Sequence, residues 1–190
     1  MDKRITLILG GARSGKSTYA EKLAASFYQP VVYIATAAAG DAEMEARIAV
    51  HRASRPTNWD TIEAQFDPGK AVLSSSVKAR VFLLDCVTLW TSNVILKLPE
   101  PYSIDQAQAA MEEEVRSLLQ AVDVLGGEWI IVSNEVGLGL VPPYELGRIY
   151  RDTLGRVNQR IAAAADRVLF MVAGYPMLVK PVANGVDIFD

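Results

Sequence analysis

Five short apolar runs alternate along the chain with longer segments of helical character. The runs cover residues 4–9, 31–36, 80–85, 129–133 and 167–172, and they are rich in β-branched side chains. Continuous apolar runs of this length are typical of strands that are covered on both faces. Because these strands alternate with helices, the pattern predicts an α/β fold with a doubly wound, mostly parallel sheet, in one domain over residues 1–190.

The clearest helix is predicted to begin after Ser103. The sequence SIDQ (103–106) fits a capping box, in which the Ser103 side chain accepts from the backbone and Gln106 reaches back. An apolar stripe at helical spacing follows and ends before two glycines at 126 and 127. Segments 98–102 and 137–144 are predicted loops because of their Gly and Pro content.

Composition narrows the class of protein. A chain of 190 residues with 51% hydrophobic content and net charge −3 fits one globular domain, and no basic cluster indicates nucleic-acid binding. Cys86 is the single cysteine, which excludes an intramolecular disulfide or a cysteine-built metal cluster. The N-terminal apolar run is too short for a membrane span and has no signal cleavage site, so we expect a cytoplasmic protein.

A phosphate-binding motif follows the first apolar run. The segment GGARSGKS satisfies the G-x-x-x-x-G-K-[ST] pattern, with a strand before it and a helix after it. Its glycines allow backbone N–H groups to surround phosphate oxygens, while the lysine reaches the terminal phosphates and the serine hydroxyl can bind Mg²⁺. The pattern predicts a P-loop NTPase fold; the alternative is a glycine turn that only begins a helix. The motif residues are Gly10, Gly11, Ala12, Arg13, Ser14, Gly15, Lys16 and Ser17.

Polar residues end three of the predicted strands. In an open α/β sheet the ligand lies beyond the carboxyl ends of the strands. Asp85 is therefore a candidate for holding Mg²⁺, although it could also cap the next helix. Glu135 is a candidate base or second metal contact, with turn capping as the alternative. Thr36 fits an ordinary polar strand end.

His51 is the only histidine and lies in a predicted helix over residues 41–55. Alanines form one face of that helix, and His51 falls on the opposite face, with Arg47 one turn before it and Arg55 one turn after. Pro56 should end the helix. This geometry by itself favours an ordinary exposed histidine.

The chain resembles the bifunctional adenosylcobinamide kinase/adenosylcobinamide-phosphate guanylyltransferase family of cobalamin biosynthesis. The resemblance runs nearly end to end and rests on LILGGARSGKS (7–17), DAEMEARIAVHRASRPTNWDTIE (41–63), LLDCVTLWTSNVI (83–95) and IVSNEVGLGLVP (131–142). It implies a two-step enzyme. ATP or GTP first phosphorylates the aminopropanol hydroxyl of adenosylcobinamide, and GMP from GTP then passes through a histidine to adenosylcobinamide phosphate.

The resemblance also implies residue roles and an assembly. The family's guanylylated histidine falls on His51. Together with the candidates from the P-loop and the strand ends, the catalytic candidates are His51, Lys16, Asp85 and Glu135, and the candidate metal ligands are Ser17 and Asp85. A homotrimer is the expected assembly. Beyond the P-loop, the implied nucleotide contacts are Ala35, Thr36, Ala37, Arg52, Ala53, Ser54, Arg55, Glu63 and Asp85.

Two other functions stay open at this point. The chain could be a P-loop kinase of another small molecule, in which case His51 would never carry a nucleotide. It could also be a nucleotide-binding switch without turnover. Candidates for holding the corrinoid, or for contacts between subunits, are Arg148, Arg151 and Asn158 on the last predicted helix.

Overall fold

The computed structural model describes residues 2–37 and 56–181. Within these ranges the chain forms a seven-stranded sheet and five helices. The strands are β1 (Lys3–Gly10), β2 (Val31–Ala35), β3 (Asp60–Glu63), β4 (Val81–Asp85), β5 (Gly127–Val132), β6 (Arg167–Val172) and β7 (Tyr175–Lys180). The helices are α1 (Lys16–Ser26), α2 (Pro68–Leu73), α3 (Val87–Leu96), α4 (Ile104–Leu125) and α5 (Glu145–Ala164).

The sheet has the order β3-β2-β4-β5-β1-β6-β7. Every neighbouring pair is parallel except β6 and β7, which run antiparallel. The doubly wound, mostly parallel sheet predicted from the sequence is therefore confirmed, and the five predicted strands are all present. The sequence analysis missed β3 and β7, which form the two edges of the sheet.

Two apolar layers cover the sheet. On one face, Ala20 and Ala24 of α1 pack against strand residues that include Ile8 and Val132. On the other face, helices α2 to α5 pack against residues that include Leu7 and Ile131. Neighbouring residues of one strand thus point into opposite layers, as the pleat requires, and both layers are buried. Burial on both faces explains why the central strands are continuous apolar runs.

Helix α4 begins with the predicted capping box. The Ser103 side chain accepts a hydrogen bond from the Gln106 backbone N–H, and the Gln106 side chain accepts one from the Ser103 N–H. Its buried residues include Met111, Val115 and Leu118, which were all in the predicted stripe. Helix α2, which the sequence analysis missed, is held against α4 because Ser117 donates a hydrogen bond to Asp67, the N-cap of α2.

The hairpin between β6 and β7 explains one missed element. Val172 pairs with Tyr175, so that only Ala173 and Gly174 form the turn, with φ of 50° and 89°. Two consecutive positive φ angles are typical of a type I′ turn, which usually carries Asn-Gly or Asp-Gly. An alanine in the first turn position gave no such signal in the sequence.

Gly69 of α2 provides a test of how tightly α2 packs on α4. A Cβ atom at Gly69 would lie 2.4 Å from the backbone oxygen of Ser117, whereas one at Gly155 of α5 would meet nothing within 4 Å. We expect Gly69→Ala to lower the free energy of unfolding by about 1–3 kcal/mol because the backbone must move. The matched control Gly155→Ala should raise it by about 0.5–1 kcal/mol, since alanine is the better helix former. Urea unfolding of both variants measures the difference, and a Gly69→Ala protein as stable as wild type would contradict the packing.

Candidate functional site

The loop between β1 and α1 has a backbone that requires glycine at two positions. Gly10 has φ of 152°, and a Cβ there would lie 2.7 Å from the carbonyl oxygen of Met171. Gly15 has φ of 91°, and its Cβ would lie 3.2 Å from Gly174 Cα. The remaining predicted positions Gly11, Ala12 and Arg13 are exposed at the tip, and Ser14 is half-buried. The loop thus has the glycine-dependent turn and the helix start of a phosphate-binding loop.

Lys16 is the first residue of α1 and is 7% exposed. Its Nζ donates a hydrogen bond of 2.6 Å to the Gly11 carbonyl and lies 3.4 Å from Ser14 Oγ. Burial lowers the pKa of Lys16, while Cys86 and Asp85 nearby act in the opposite direction. The side chain therefore lies over the loop whose phosphate ligand it is predicted to contact.

Asp85 ends β4, on the same edge of the sheet as the loop. The Tyr33 hydroxyl donates to its Oδ2 at 2.8 Å, and within the described residues its other oxygen has no hydrogen bond. The N-cap of α3 is Cys86, without a side-chain cap bond, so the alternative of Asp85 as the helix cap is wrong. One carboxylate oxygen is thus held in place, and the other has no hydrogen-bond partner in residues 2–37 and 56–181.

Cys86 adds no negative charge to the site. Burial raises the pKa of its thiol to about 11, and the Asp85 carboxylate adds to the shift. A thiol with this pKa is neutral near pH 7. Of the two groups that oppose the effect of burial on the pKa of Lys16, Asp85 is therefore the one that acts near pH 7.

A metal ion at this edge has two suitable ligands. Ser17 in the first turn of α1 is half-buried, and no hydrogen bond of its hydroxyl occurs within the described residues. With the free oxygen of Asp85 it offers the hard oxygen ligands that Mg²⁺ prefers, with phosphates and water supplying the rest. No group of three acidic, cysteine or histidine side chains able to hold a metal by itself occurs in residues 2–37 and 56–181. The residues fit a magnesium ion that is bound together with a nucleotide.

Thr36 has its polar groups engaged within the protein. Its hydroxyl accepts from the Cys86 N–H at 2.8 Å and donates to the Cys86 carbonyl at 2.7 Å, and Asn93 donates to its carbonyl oxygen. The side chain is fully buried. Thr36 therefore fastens the end of β2 to the turn after β4, and neither its hydroxyl nor its carbonyl is left without a protein partner.

The remaining predicted contacts in this region lie on the β2–β3 side of the edge. Ala35 is buried, Ala37 is half-buried, and Glu63 is exposed at the end of β3, paired in register with Ala35. Residues His51, Arg52, Ala53, Ser54 and Arg55, with the predicted helix 41–55, lie outside the described residues.

The backbone of Glu135 lies beside the loop, but its side chain is hydrogen-bonded within the turn that follows it. Its backbone N–H donates to the Gly10 carbonyl at 3.1 Å, and its carboxylate accepts from the Gly137 N–H at 2.6 Å. This supports the turn-capping alternative for its side chain. A role as a base stays a prediction.

Two of the corrinoid candidates make structural contacts near this edge. Asn158 is buried and accepts a hydrogen bond from Ser133 Oγ at 2.7 Å, and Arg148 donates to the carbonyls of Pro142 and Pro143. Arg151 pairs with its neighbour Asp152 at 2.9 Å. Asn158 is thus part of the packing between β5 and α5.

The sequence analysis missed the support that the β6–β7 turn gives the loop. The Gly174 N–H donates to the Ser14 carbonyl at 3.0 Å, and a Cβ atom at Gly15 would make a tight contact of 3.2 Å with Gly174 Cα. The only sequence signal for this support is the presence of a glycine at residue 174. Its contact with residues 160 positions earlier depends on the β1–β6 pairing, which no local pattern shows.

None of the helices in the described ranges combines the length and the apolar character needed to cross a bilayer. The longest of them, α4 with 22 residues, is amphipathic and carries acidic residues along its outer face.

The comparisons with known proteins cover almost the whole chain. The model of the cobinamide kinase / cobinamide phosphate guanyltransferase family matches residues 6–179. The bifunctional adenosylcobalamin biosynthesis protein CobP of Pseudomonas aeruginosa is 48% identical over 174 residues, which is 92% of this chain and 96% of that protein. The bifunctional adenosylcobalamin biosynthesis proteins CobU of Salmonella typhimurium and Escherichia coli are 38% and 39% identical, over 92% of this chain and 98% of theirs. With its glycine loop, Lys16 and Asp85 at one edge of the sheet, the chain belongs to the cobinamide kinase / cobinamide phosphate guanyltransferase family.

Proposed function

We propose that this protein phosphorylates the aminopropanol hydroxyl of adenosylcobinamide and then transfers GMP from GTP to the resulting phosphate. The observation that carries the proposal is the convergence of the glycine loop, Lys16 and Asp85 at the carboxyl edge of the sheet. Membership of the family supplies the substrate class, since the family joins a cobinamide kinase with a cobinamide phosphate guanyltransferase. The product is adenosylcobinamide-GDP.

In the kinase step the oxygen of the substrate hydroxyl attacks the γ-phosphorus of ATP or GTP, and the hydroxyl proton passes to water. The bond between the γ-phosphorus and the bridging oxygen breaks, and the nucleoside diphosphate leaves. Such transfers depend on positioning and on neutralising charge. The loop N–H groups and the Lys16 ammonium provide both, because they surround the phosphates on the N-terminal side of α1.

In the guanylyl step we assign the nucleophile to His51. A neutral imidazole nitrogen attacks the α-phosphorus of GTP, and pyrophosphate leaves. A phosphate oxygen of adenosylcobinamide phosphate then attacks the same phosphorus and releases His51. Splitting the transfer in this way replaces one difficult displacement by two easier ones. Since His51 is the only histidine, a histidine-linked nucleotide on this chain has one possible position.

We also propose that the phosphates bind with Mg²⁺, held by Ser17 and Asp85. When bound, the ion would neutralise charge on the phosphate oxygens. The hydrogen bond from Tyr33 holds Oδ2 of Asp85, which would leave the other carboxylate oxygen to bind the ion or a water molecule. The proposed contacts to the guanine nucleotide remain Ala35, Thr36, Ala37, Glu63 and residues 52–55. For Thr36 the structure favours an indirect role, because its polar groups are already bonded.

A homotrimer is the proposed assembly. Strand β7 lies at the edge of the sheet and exposes apolar side chains, with Tyr175 at 77%, Met177 at 57% and Leu178 at 57% of their surface. An exposed apolar edge strand is prone to pair with another chain, so this edge supports self-association.

Both half-reactions consume nucleoside triphosphates, and we therefore expect the enzyme to act in the cytoplasm.

The assignment of His51 predicts a covalent nucleotide. Incubation with GTP labelled at the α-phosphate should give a labelled protein that is stable to alkali and labile to acid, as expected for a phosphoramidate. GTP labelled at the γ-phosphate should leave the protein unlabelled. His51→Ala should lose the adduct and guanylyl transfer but still phosphorylate adenosylcobinamide, because that step needs no covalent intermediate. Intact-protein mass spectrometry reads the adduct directly, and guanylyl transfer at the wild-type rate by His51→Ala would identify the chain as a kinase that uses another route.

The metal assignment predicts that Asp85→Asn loses activity through weaker Mg²⁺ binding. Asparagine keeps the shape of the side chain and removes the negative charge. We expect the Mg²⁺ concentration for half-maximal kinase activity to rise roughly tenfold or more, with unchanged thermal unfolding. The control Asp123→Asn changes an exposed residue of α4 that pairs with Lys3, and its Mg²⁺ dependence should equal that of wild type. Wild-type behaviour of Asp85→Asn at limiting Mg²⁺ would remove Asp85 from the metal site.

The assembly is tested by light scattering of the purified protein. The expected mass is three times that of one chain. If β7 forms part of the contact, Leu178→Lys should reduce the mass, because a buried lysine in an apolar interface is costly. A single-chain mass for the wild-type protein at micromolar concentration would contradict the trimer.

A further inference from the structure

The segment after β5 runs between the phosphate-binding loop and Asp85. Strand β5 is paired with β1 on one side and with β4 on the other. Beyond its last residue, the Ser133 N–H donates to the Ile8 carbonyl at 3.0 Å and the Glu135 N–H donates to the Gly10 carbonyl at 3.1 Å. The chain therefore stays extended along the loop for three more residues, and Asn134 is in the middle of them.

The alternation of side chains places Asn134 on the face of α1. Ile130 and Val132 pack in the same layer as Ala20 of α1, and Asn134 follows two residues later. Ser133 points to the opposite face, where it bonds Asn158 of α5, and Glu135 follows it in the alternation. By the same rule Asp85 shares the α1 face, because Leu83 belongs to that layer. Asn134, rather than Glu135, thus lies on the same face of the sheet as α1, Lys16 and Asp85.

The backbone of Asn134 is fixed and its side chain is not. The Asn134 N–H donates to Thr88 Oγ1 at 2.9 Å, and Asn158 Nδ2 donates to the Asn134 carbonyl at 3.0 Å. Its side-chain amide is half-buried and makes no hydrogen bond with any residue in 2–37 or 56–181. A half-buried polar group on a held backbone, without a partner, is typical of a position that binds a ligand.

We propose that the Asn134 side-chain amide donates a hydrogen bond to the terminal phosphate of the nucleotide bound at the loop. The inference rests on the proposed function, since it requires a nucleoside triphosphate there. A nucleoside triphosphate in the loop would have its inner phosphates next to the loop N–H groups, and a Mg²⁺ ion held by Asp85 would neutralise charge on the outer phosphates. A donor placed between the loop and Asp85 therefore faces the outermost phosphate. Because the Asn134 side chain is neutral, it positions that phosphate without adding charge. Its contact would also distinguish a nucleoside triphosphate from a diphosphate, which lacks the outermost phosphate.

The test compares the affinities for GTP and GDP in the presence of Mg²⁺, measured by calorimetry. Asn134→Ala should weaken GTP binding roughly tenfold or more, the usual effect of losing a hydrogen bond to a charged group. GDP binding should change less than about twofold, since the diphosphate lacks the phosphate that the amide contacts. Thermal unfolding should be unchanged, because the backbone bonds of residue 134 are retained.

Two further variants sharpen the comparison. Asn134→Asp keeps the shape but replaces the donor with a negative charge, so GTP binding should fall further than in Asn134→Ala. The control Gln120→Ala removes an exposed amide from α4, on the other face of the sheet, and should leave both affinities unchanged.

Three results would overturn the inference. Equal loss of GTP and GDP affinity in Asn134→Ala, or no loss, would exclude a contact specific to the terminal phosphate. Tighter Mg²⁺-dependent GTP binding by Asn134→Asp would identify residue 134 as a metal ligand instead. Wild-type protein that binds neither nucleotide would overturn the nucleotide-binding function and this inference with it, whereas wild-type binding with an unaffected Asn134→Ala variant overturns this inference alone.

Discussion

Strand β1 is hydrogen-bonded to β5 on one side and to β6 on the other, and both pairings run parallel. Because parallel strands end at a common edge of the sheet, this pairing brings groups that are distant in sequence next to the loop between β1 and α1. Ile8 and Gly10 accept hydrogen bonds from the segment after β5, and the turn after β6 donates to Ser14. If β1 shifted by one residue against either neighbour, the loop would lose support on both sides.

The site places the buried cation of Lys16 near the half-buried carboxylate of Asp85, and within the described residues no direct ion pair joins them. Lys16 Nζ bonds the Gly11 carbonyl and Asp85 bonds the Tyr33 hydroxyl, so each charge has a polar partner of its own. Burial alone would favour the neutral amine, and the carboxylate opposes this. Each of the two side chains is therefore held by a neutral polar group of the protein rather than by the other.

The central strands, the loop motif and the capping box of α4 could be predicted from the sequence because each depends on a local pattern. Strand β3 has only four residues, and Pro176 near the start of β7 argued against a strand there although apolar residues follow it. The bonding of Thr36 could not be predicted, because its partner is the turn after another strand. The sequence analysis selected Glu135 because it is titratable. The face of the sheet to which Asn134 belongs depends on the alternation of side chains along β5, and that alternation could have been read from the sequence.

The insertion of β5 between β1 and β4 also sets a length scale. Neighbouring strands lie about 4.8 Å apart, so the ends of β1 and β4 are separated by two spacings, roughly 10 Å. The Lys16 side chain crosses part of this gap, since it lies over the loop and is close enough to Asp85 for the carboxylate to affect its pKa. The order of the strands therefore sets the separation of the two backbone ends, and a long side chain from α1 rather than the backbone brings the opposite charges near each other.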